Sequence, residues 1–145
     1  PVEAVCTAPG RTSLAAGEFV TEIRLPKRPA YSSDAYLRLI PRTEMDIAVV
    51  GAAVNLVLDA AGVVTEANVA LGAVAPTALL VAEAGAALVG TKLDEAALAA
   101  LDAAARAACK PISDKRGTAE YRTKIAGVLA RRAALIAYQR AGGRA

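Results

Sequence analysis

The chain has 145 residues, of which 55% are hydrophobic, 21% are charged and only 3% are aromatic. A length of this order is that of one domain, long enough to bury roughly two-thirds of the surface of its extended chain. The net charge is only +3 and aromatic residues are scarce, so the sequence lacks both the strong positive field and the stacking platform of a nucleic-acid-binding protein.

Several kinds of site are excluded by residues that are absent or isolated. The chain has no histidine, so it can form neither a histidine-based catalytic triad nor an imidazole metal site. Its two cysteines, Cys6 and Cys109, are too far apart in sequence for the closely spaced ligands of zinc or iron–sulfur sites. We expect two free thiols in a reducing cytoplasm, with a disulfide between them as the alternative.

The sequence also predicts no transmembrane segment, because no run approaches the roughly 20 strongly apolar residues that span a bilayer. Alanine supplies much of the hydrophobic fraction. No signal, transit or lipidation motif is present. The chain begins at Pro1 in a pattern typical of the middle of a strand, and we interpret it as a fragment.

Residues 1–74 are rich in strand-forming and turn-forming residues. Apolar and polar residues alternate over 17–25, which predicts a strand that ends at Pro26, and residues 27–34 are typical of a loop or linker. A second strand is predicted over 36–42. This part of the chain is therefore expected to supply a sheet.

A hairpin with one solvated face is predicted next, over residues 52–72. Residues 75–145 then change to a helical composition of alanine, leucine and arginine. Three helices are predicted there, beginning near Pro76, near Asp94 and after the break at Pro111. This order predicts an α+β fold: a small antiparallel sheet of three to four strands covered on one face by three helices, strands first and then helices.

The third predicted helix has an apolar side that we expect to face the sheet. That side consists of Tyr121, Ile125, Val128, Leu129, Leu135 and Ile136. The other sides carry Arg122, Lys124, Arg131 and Arg140. We interpret these basic residues as a solvated face, because charged residues at helical spacing are common on exposed helices.

The junction before this helix, residues 111–122, has the sequence Pro-Ile-Ser-Asp-Lys-Arg-Gly-Thr-Ala-Glu-Tyr-Arg. Pro111 cannot continue the preceding helix, and the side chains of Ser113 and Asp114 can accept hydrogen bonds from free amides at a helix start. Turn chemistry alone favours a purely structural connection between two helices.

Four segments together resemble a known family. They are Pro-Gly-Arg-Thr at 9–12, Gly-Glu-Phe-Val at 17–20, Arg-Thr-Glu-Met-Asp-Ile-Ala at 42–48, and the junction at 111–122. In this order and spacing they are similar to the C-terminal domain of the FAD-carrying medium subunit of molybdenum hydroxylases, the xanthine dehydrogenase and aerobic carbon monoxide dehydrogenase family. The resemblance covers most of the chain.

The resemblance implies that residues 1–34 are the tail of the FAD-binding domain and a linker, and that residues 35–145 are the C-terminal domain. In the family, an N-terminal domain of the same subunit holds most of the FAD by glycine-rich loops. This chain contains no Gly-x-Gly-x-x-Gly or Walker-type loop. The resemblance also implies two partners: a small subunit with 2Fe-2S iron–sulfur clusters and a large subunit with the molybdenum cofactor.

Two residues are implied to bind FAD. Val20 matches an apolar residue that packs on the flavin ring in the family, although burial statistics alone favour a core strand residue. Arg38 aligns with a basic residue, often lysine, near a flavin carbonyl, where a cation would stabilise the reduced ring. Without the resemblance, an arginine on a short strand is usually a surface residue. No catalytic or metal-binding residue is predicted.

A charged cluster of Arg42, Glu44 and Asp46 precedes an apolar strand. We favour a structural role, in which Arg42 pairs with an acidic neighbour and Asp46 caps a short helical turn at Ile47. The alternative is a loop near the flavin, where a carboxylate could tune the potential.

The resemblance implies that the chain is part of an FAD-carrying subunit, in which FAD accepts electrons from iron–sulfur clusters and passes them to an external acceptor. The chain would be a subunit fragment of an oxidoreductase and would not be catalytic alone. The alternative is a non-catalytic dimerisation or interaction module of a flavoprotein complex.

Overall fold

The computed structural model of the chain describes residues 1–43 and 46–143. Its elements in chain order are a 3₁₀ turn at Val2–Ala4, β1 (Cys6–Ala8), β2 (Arg11–Thr12), β3 (Ser32–Leu39), β4 (Val50–Leu58), β5 (Val64–Gly72), β6 (Leu79–Leu80), α1 (Ala82–Ala86), α2 (Glu95–Ala108) and α3 (Ala119–Arg140). Among the described residues, no helix is both long enough and apolar enough to span a bilayer.

Four strands form one antiparallel sheet in the order β3–β4–β5–β6, and β1 and β2 form a separate ribbon. The predicted hairpin is confirmed as β4 and β5, with Asn55 opposite Asn68. Asp59 closes its turn, because Oδ1 accepts hydrogen bonds from the backbone N–H groups of Ala61 (2.9 Å) and Val63 (2.8 Å). An aspartate at the start of a turn commonly makes such bonds to the backbone that follows.

Helices cover one face of this sheet. Alternate residues of β4 are buried beneath them, and these are Val50, Ala52, Val54, Leu56 and Leu58. α3 packs on β3 and β4, α1 packs on β5, and α2 packs on α1 and α3. The predicted α+β class, with strands first and helices on one face, is therefore confirmed.

α1 lies directly against the backbone of β5. A Cβ atom added at Gly85 would be 2.5 Å from the carbonyl oxygen of Ala67, which is well inside contact distance. Glycine at this position therefore permits the close approach of helix and strand.

The predicted start of the first helix, near Pro76, is wrong. Leu79 and Leu80 instead form β6 on the edge of β5, and the backbone N–H of Val81 donates to the carbonyl oxygen of Val69 (2.8 Å). Residues with a helical sequence pattern thus pair with the free peptide groups at the edge of β5, because an unpaired strand edge readily accepts a neighbouring strand.

The side of α3 that faces the core differs from the prediction. Its buried residues are Arg122, Ala126, Gly127, Ala130, Ala133, Ala134, Ala137 and Tyr138. The larger apolar residues expected there are exposed or half-buried, namely Tyr121, Ile125, Val128, Leu129, Leu135 and Ile136. Small side chains let α3 lie close to the sheet, so the larger residues flank the contact.

No strand forms at residues 17–25, where the sequence predicts one. This stretch has no regular secondary structure, and Phe19, Ile23 and Leu25 are 76%, 79% and 86% exposed. A strand requires a neighbour for its peptide groups, and no described strand pairs with this stretch. β3 begins inside the predicted loop and ends before the predicted residue 42.

The outer edge of β3 has no neighbouring strand in the described sheet. The guanidinium of Arg140 on α3 donates a hydrogen bond to the carbonyl oxygen of Asp34 (3.1 Å). The carboxylate of Asp34 forms an ion pair with Arg28. Charged groups therefore lie along this edge.

Candidate functional site

Arg38 lies near the end of β3, on the face of the sheet that the helices leave open. Burial alternates along the strand: Ser33 and Ala35 are buried under the helices, whereas Tyr36 and Arg38 are exposed. Arg38 is directly opposite Gly51 of β4. None of the ion pairs among the described residues involves Arg38.

The open face next to this arginine is formed by glycine and alanine residues of β4 and β5, and we call it the small-residue floor. Gly51 is opposite Gly72, and Ala53 is opposite Ala70, on β4 and β5. The ring of Tyr36 lies beside Gly51, since a Cβ atom added there would be 2.8 Å from the tyrosine hydroxyl oxygen. A Cβ atom at Gly72 would have no neighbour within 4 Å, so the backbone there can be approached by a planar ligand.

A groove of about 680 Å³ involves β4 and β5 on the same face. Asn55, Val57 and Asn68 line it from the sheet, and the stretch 25–29 lines it from the chain before β3. The stretch that contains the predicted Val20 site therefore leads onto the open face of the sheet.

Val20 itself lies in the irregular stretch and is 54% exposed. It is therefore not the buried strand residue that burial statistics favour. Neither Val20 nor Arg38 lines this groove. The structure brings Arg38 to the small-residue floor but does not bring Val20 there.

Arg42 pairs with Asp46, which confirms the predicted structural role of this arginine. Its Nε lies 3.4 Å from Asp46 Oδ2, and its backbone N–H donates to the same oxygen (3.1 Å). Asp46 Oδ1 accepts from the backbone N–H of Ile47 (2.8 Å), but no helical turn forms at 46–48, so that part of the prediction is wrong. Glu44, the third member of the cluster, lies outside the described residues.

The junction at 111–122 has caps that differ partly from those predicted. Ser113 Oγ accepts from the backbone N–H of Ala119 (2.9 Å), as expected for a helix start. Thr118 is the N-cap of α3, because its Oγ1 accepts from the backbone N–H of Tyr121 (3.1 Å). Asp114 instead closes the turn before the helix, by accepting from the backbone N–H two residues on (2.8 Å).

Arg122 is a buried, hydrogen-bonded arginine that the sequence analysis did not predict. Its side chain is 4% exposed, whereas the sequence predicts a solvated residue. Nη2 donates to Asp114 Oδ1 (2.7 Å), and Nη1 donates to the carbonyl oxygens of Val49 (2.7 Å) and Ala73 (3.4 Å). Asp114 in the preceding turn was the available sequence signal, because buried guanidinium groups require an anionic partner.

Both carboxylates of this region are held in the ionised form. Burial of Asp46 raises its pKa, but the backbone N–H of the next residue and the guanidinium of Arg42 outweigh burial, so the net pKa is below the ordinary value. The pKa of Asp114 is lowered by the backbone N–H of Arg116 and then by the guanidinium of Arg122. Both carboxylates are therefore charged at neutral pH and balance these arginines.

The fold and the resemblance define a flavoprotein domain. The chain belongs to the CO dehydrogenase flavoprotein C-terminal domain family, whose family model matches residues 35–137. The family predicted from the four sequence segments is therefore confirmed.

The relatives are subunits of oxidoreductases. The carbon monoxide dehydrogenase medium chain of Afipia carboxidovorans is 46% identical over 130 residues, which are 90% of this chain and 44% of the relative. The carbon monoxide dehydrogenase of Hydrogenophaga pseudoflava, solved in a form lacking the Mo-pyranopterin moiety of its molybdenum cofactor, matches at 37% identity and a TM-score of 0.90. That match covers 97% of this chain and 48% of that chain.

Quinoline 2-oxidoreductase from Pseudomonas putida 86 matches at 30% identity and a TM-score of 0.85, over 97% of this chain and 48% of that chain. The chain thus spans about half the length of the relatives that it matches. The same domain occurs in enzymes whose names give different substrates, carbon monoxide and quinoline.

The residues present fit one part of FAD. The ring of Tyr36 covers the floor at Gly51, so a planar ring has access to the backbone only at Gly72, with the exposed Arg38 as the nearby cation. The sequence offers no glycine-rich loop at a helix start to hold the pyrophosphate. These residues offer a surface and a cation for one ring of the cofactor and nothing for its pyrophosphate.

Proposed function

We propose that this chain is the C-terminal part of the FAD-carrying medium subunit of a molybdenum hydroxylase of the carbon monoxide dehydrogenase type. The observation that carries the proposal is the 46% identity to a carbon monoxide dehydrogenase medium chain over 90% of this chain. A general dimerisation or interaction module, the alternative from the sequence, has no comparable support.

Within the subunit, Arg38 is proposed to lie at the edge of the flavin ring. FAD, when bound, supplies a site that takes up electrons and releases them to an acceptor. The guanidinium of Arg38 would stabilise the negative charge of the reduced ring, because a charge-assisted contact is strongest where charge develops. Val20 is proposed as an apolar contact of the same ring, on the stretch that leads toward the open face.

Residues 1–34 are proposed to belong with the FAD-binding domain that precedes residues 35–145 in the subunit. The support is the exposed apolar stretch at 17–25, which alternates like a strand and has no strand partner in the described chain. A strand of this kind is completed by the edge of another sheet. The N-terminal FAD-binding domain of the same subunit would provide that sheet.

The proposed partners are an iron–sulfur small subunit, which delivers electrons through 2Fe-2S clusters, and a large subunit with the molybdenum cofactor, where the substrate is oxidised. Electrons would leave FAD for an external acceptor. A cytoplasmic location is part of the same proposal, and it fits the two free cysteines, Cys6 and Cys109, which form no disulfide.

Replacing Arg38 in the intact enzyme tests the flavin contact. A charge-assisted hydrogen bond contributes about 1.5 to 3 kcal/mol when buried, so Arg38→Ala should lower the two-electron flavin potential by about 30 to 60 mV. Arg38→Lys should retain much of the potential because it keeps the charge. Potentiometric titration measures both variants.

The matched control is Lys124→Ala, which removes an exposed positive charge from α3. It should leave the flavin potential unchanged. An unchanged potential in Arg38→Ala would contradict the proposed contact and return Arg38 to the class of exposed strand residues.

A further inference from the structure

A charge chain connects the segment after β3 with the start of α3. We define it as Arg42, Asp46, Arg116, Asp114 and Arg122. Along it, the nitrogen–oxygen distances are 3.4 Å from Arg42 to Asp46, 3.8 Å from Asp46 to Arg116, 3.3 Å from Arg116 to Asp114 and 2.7 Å from Asp114 to Arg122.

Two members of the charge chain are shielded from solvent. The side chains of Asp46 and Arg122 are each 4% exposed, whereas those of Asp114 and Arg116 are 27% and 31% exposed. Screening by water and salt is weak for groups of this kind. The charge chain is therefore able to hold a defined geometry, unlike most ion pairs on a protein surface.

Two members of the charge chain, Arg122 and Asp46, hold the backbone that follows Arg38. Arg122 donates to the carbonyl oxygen of Val49, and the backbone N–H of Val49 donates to the carbonyl oxygen of Leu39 (2.9 Å). Asp46 Oδ2 accepts from the backbone N–H of Arg42. Leu39, the last residue of β3, is thus held from the β4 side by Arg122 through Val49, and Asp46 holds the backbone three residues further on, at Arg42.

We propose that Asp46 and Asp114 are positioning residues that fix the direction of Arg38 toward the flavin ring. This inference rests on the proposed contact between Arg38 and the flavin. Neither carboxylate touches the ring. Each acts through the backbone that follows Arg38, because a planar guanidinium needs a well-fixed backbone to present its donors at one place.

The sign of the potential change separates positioning from a direct electrostatic effect. Removing a carboxylate near the flavin would by itself raise the potential, because a negative charge disfavours the reduced, anionic ring. Loss of positioning has the opposite effect, since the stabilising cation moves away. We therefore expect Asp46→Asn and Asp114→Asn to lower the flavin potential of the intact enzyme.

A double-mutant cycle tests whether the effect passes through Arg38. Asp46→Asn should shift the potential in the same direction as Arg38→Ala, but by less. In an Arg38→Ala background it should produce no further shift. Asp102→Asn is the matched control, because its carboxylate pairs with Arg106 (2.6 Å) on α2, and it should leave the potential unchanged.

Three outcomes would overturn the inference. If Arg38→Ala lowers the potential and both aspartate variants leave it unchanged or raise it, the inference is overturned and the proposed function stands. A further shift by Asp46→Asn in the Arg38→Ala background also overturns it. If Arg38→Ala has no effect, the proposed flavin contact fails, and the inference fails with it. Asp114→Asn serves as the second variant if Asp46→Asn does not assemble.

Discussion

Arg122 places a positive charge within the core, where charges are normally costly. Removing a guanidinium from water is unfavourable by several kcal/mol unless hydrogen bonds and an opposite charge compensate. Here two backbone carbonyl oxygens and the carboxylate of Asp114 accept from it, although its Nε has no partner. The residue joins the start of α3 to the start of β4 and the end of β5.

This arrangement predicts how stability depends on pH. The folded-state pKa of Asp114 is below its unfolded value, because the backbone N–H of Arg116 and the guanidinium of Arg122 favour the charged form. Its contribution to stability is therefore complete above the unfolded pKa and is lost as the pH falls through the folded pKa. The same direction holds for Asp46, whose pKa is also lowered.

Urea unfolding between pH 7 and pH 3 measures this effect. The free energy of unfolding should fall as the solution becomes acidic, and Asp114→Asn should be less stable at pH 7 but lose less on acidification. An identical loss in Asp114→Asn and in the unchanged chain would show that this carboxylate does not couple to folding.

At the scale of elements, close contact between small residues decides where the helices lie. α1 sits on β5 through Gly85, and α3 sits on the sheet through alanines. Backbone atoms cannot move away from an added side chain as flexible side chains can. Such positions are therefore sensitive to an increase in volume.

Gly85→Ala should destabilise the fold by about 1 to 3 kcal/mol, because its methyl group would meet the carbonyl oxygen of Ala67 at 2.5 Å. Gly72→Ala is the control, since a Cβ atom there has no neighbour within 4 Å and should leave stability nearly unchanged. Thermal or urea unfolding of both variants gives the comparison. Equal stabilities would contradict the close contact between α1 and β5.

Periodicity predicts the elements whose pattern is long and whose neighbours are adjacent in sequence. The β4–β5 hairpin and α2 follow from alternation and from the acidic helix start at Asp94, which caps α2 by accepting from the backbone N–H of Ala97 (2.9 Å). Shorter elements depend on distant partners. Leu79 and Leu80 form a strand only because the edge of β5 is free, and no local pattern contains that information.

The candidate site was predictable only in part for the same reason. Alternation puts Arg38 on the open side of a strand, but its opposition to Gly51 depends on strand register. The burial of Arg122 depends on Val49 and Ala73, which are 73 and 49 positions away in the chain. A prediction from hydrophobic periodicity places every arginine in solvent. It therefore cannot predict these contacts between residues far apart in the chain.

At the scale of the whole molecule, the two faces of the sheet have different surroundings. The helices cover one face, and the other presents the small-residue floor. Binding energy for a dinucleotide is concentrated at its phosphates, and the sequence has no glycine-rich loop for them. Under the proposed function, the open face would therefore be one wall of the FAD site rather than a complete site.

Isolated residues 1–145 should consequently bind FAD weakly or not at all. Titration of the purified chain with FAD, followed by flavin fluorescence, measures this. The full-length medium subunit within its complex is the comparison and should retain the cofactor. Stoichiometric binding by the isolated chain in the low micromolar range would contradict the incomplete site.

The charged edge of β3 has a consequence for self-association. An exposed strand edge is a template on which a second copy can extend the sheet, and such growth leads to aggregation. Arg140 occupies the carbonyl oxygen of Asp34, and Arg28 pairs with the carboxylate of the same residue. An incoming strand would have to displace both arginines. The edge therefore resists edge-to-edge growth of the sheet at high protein concentration.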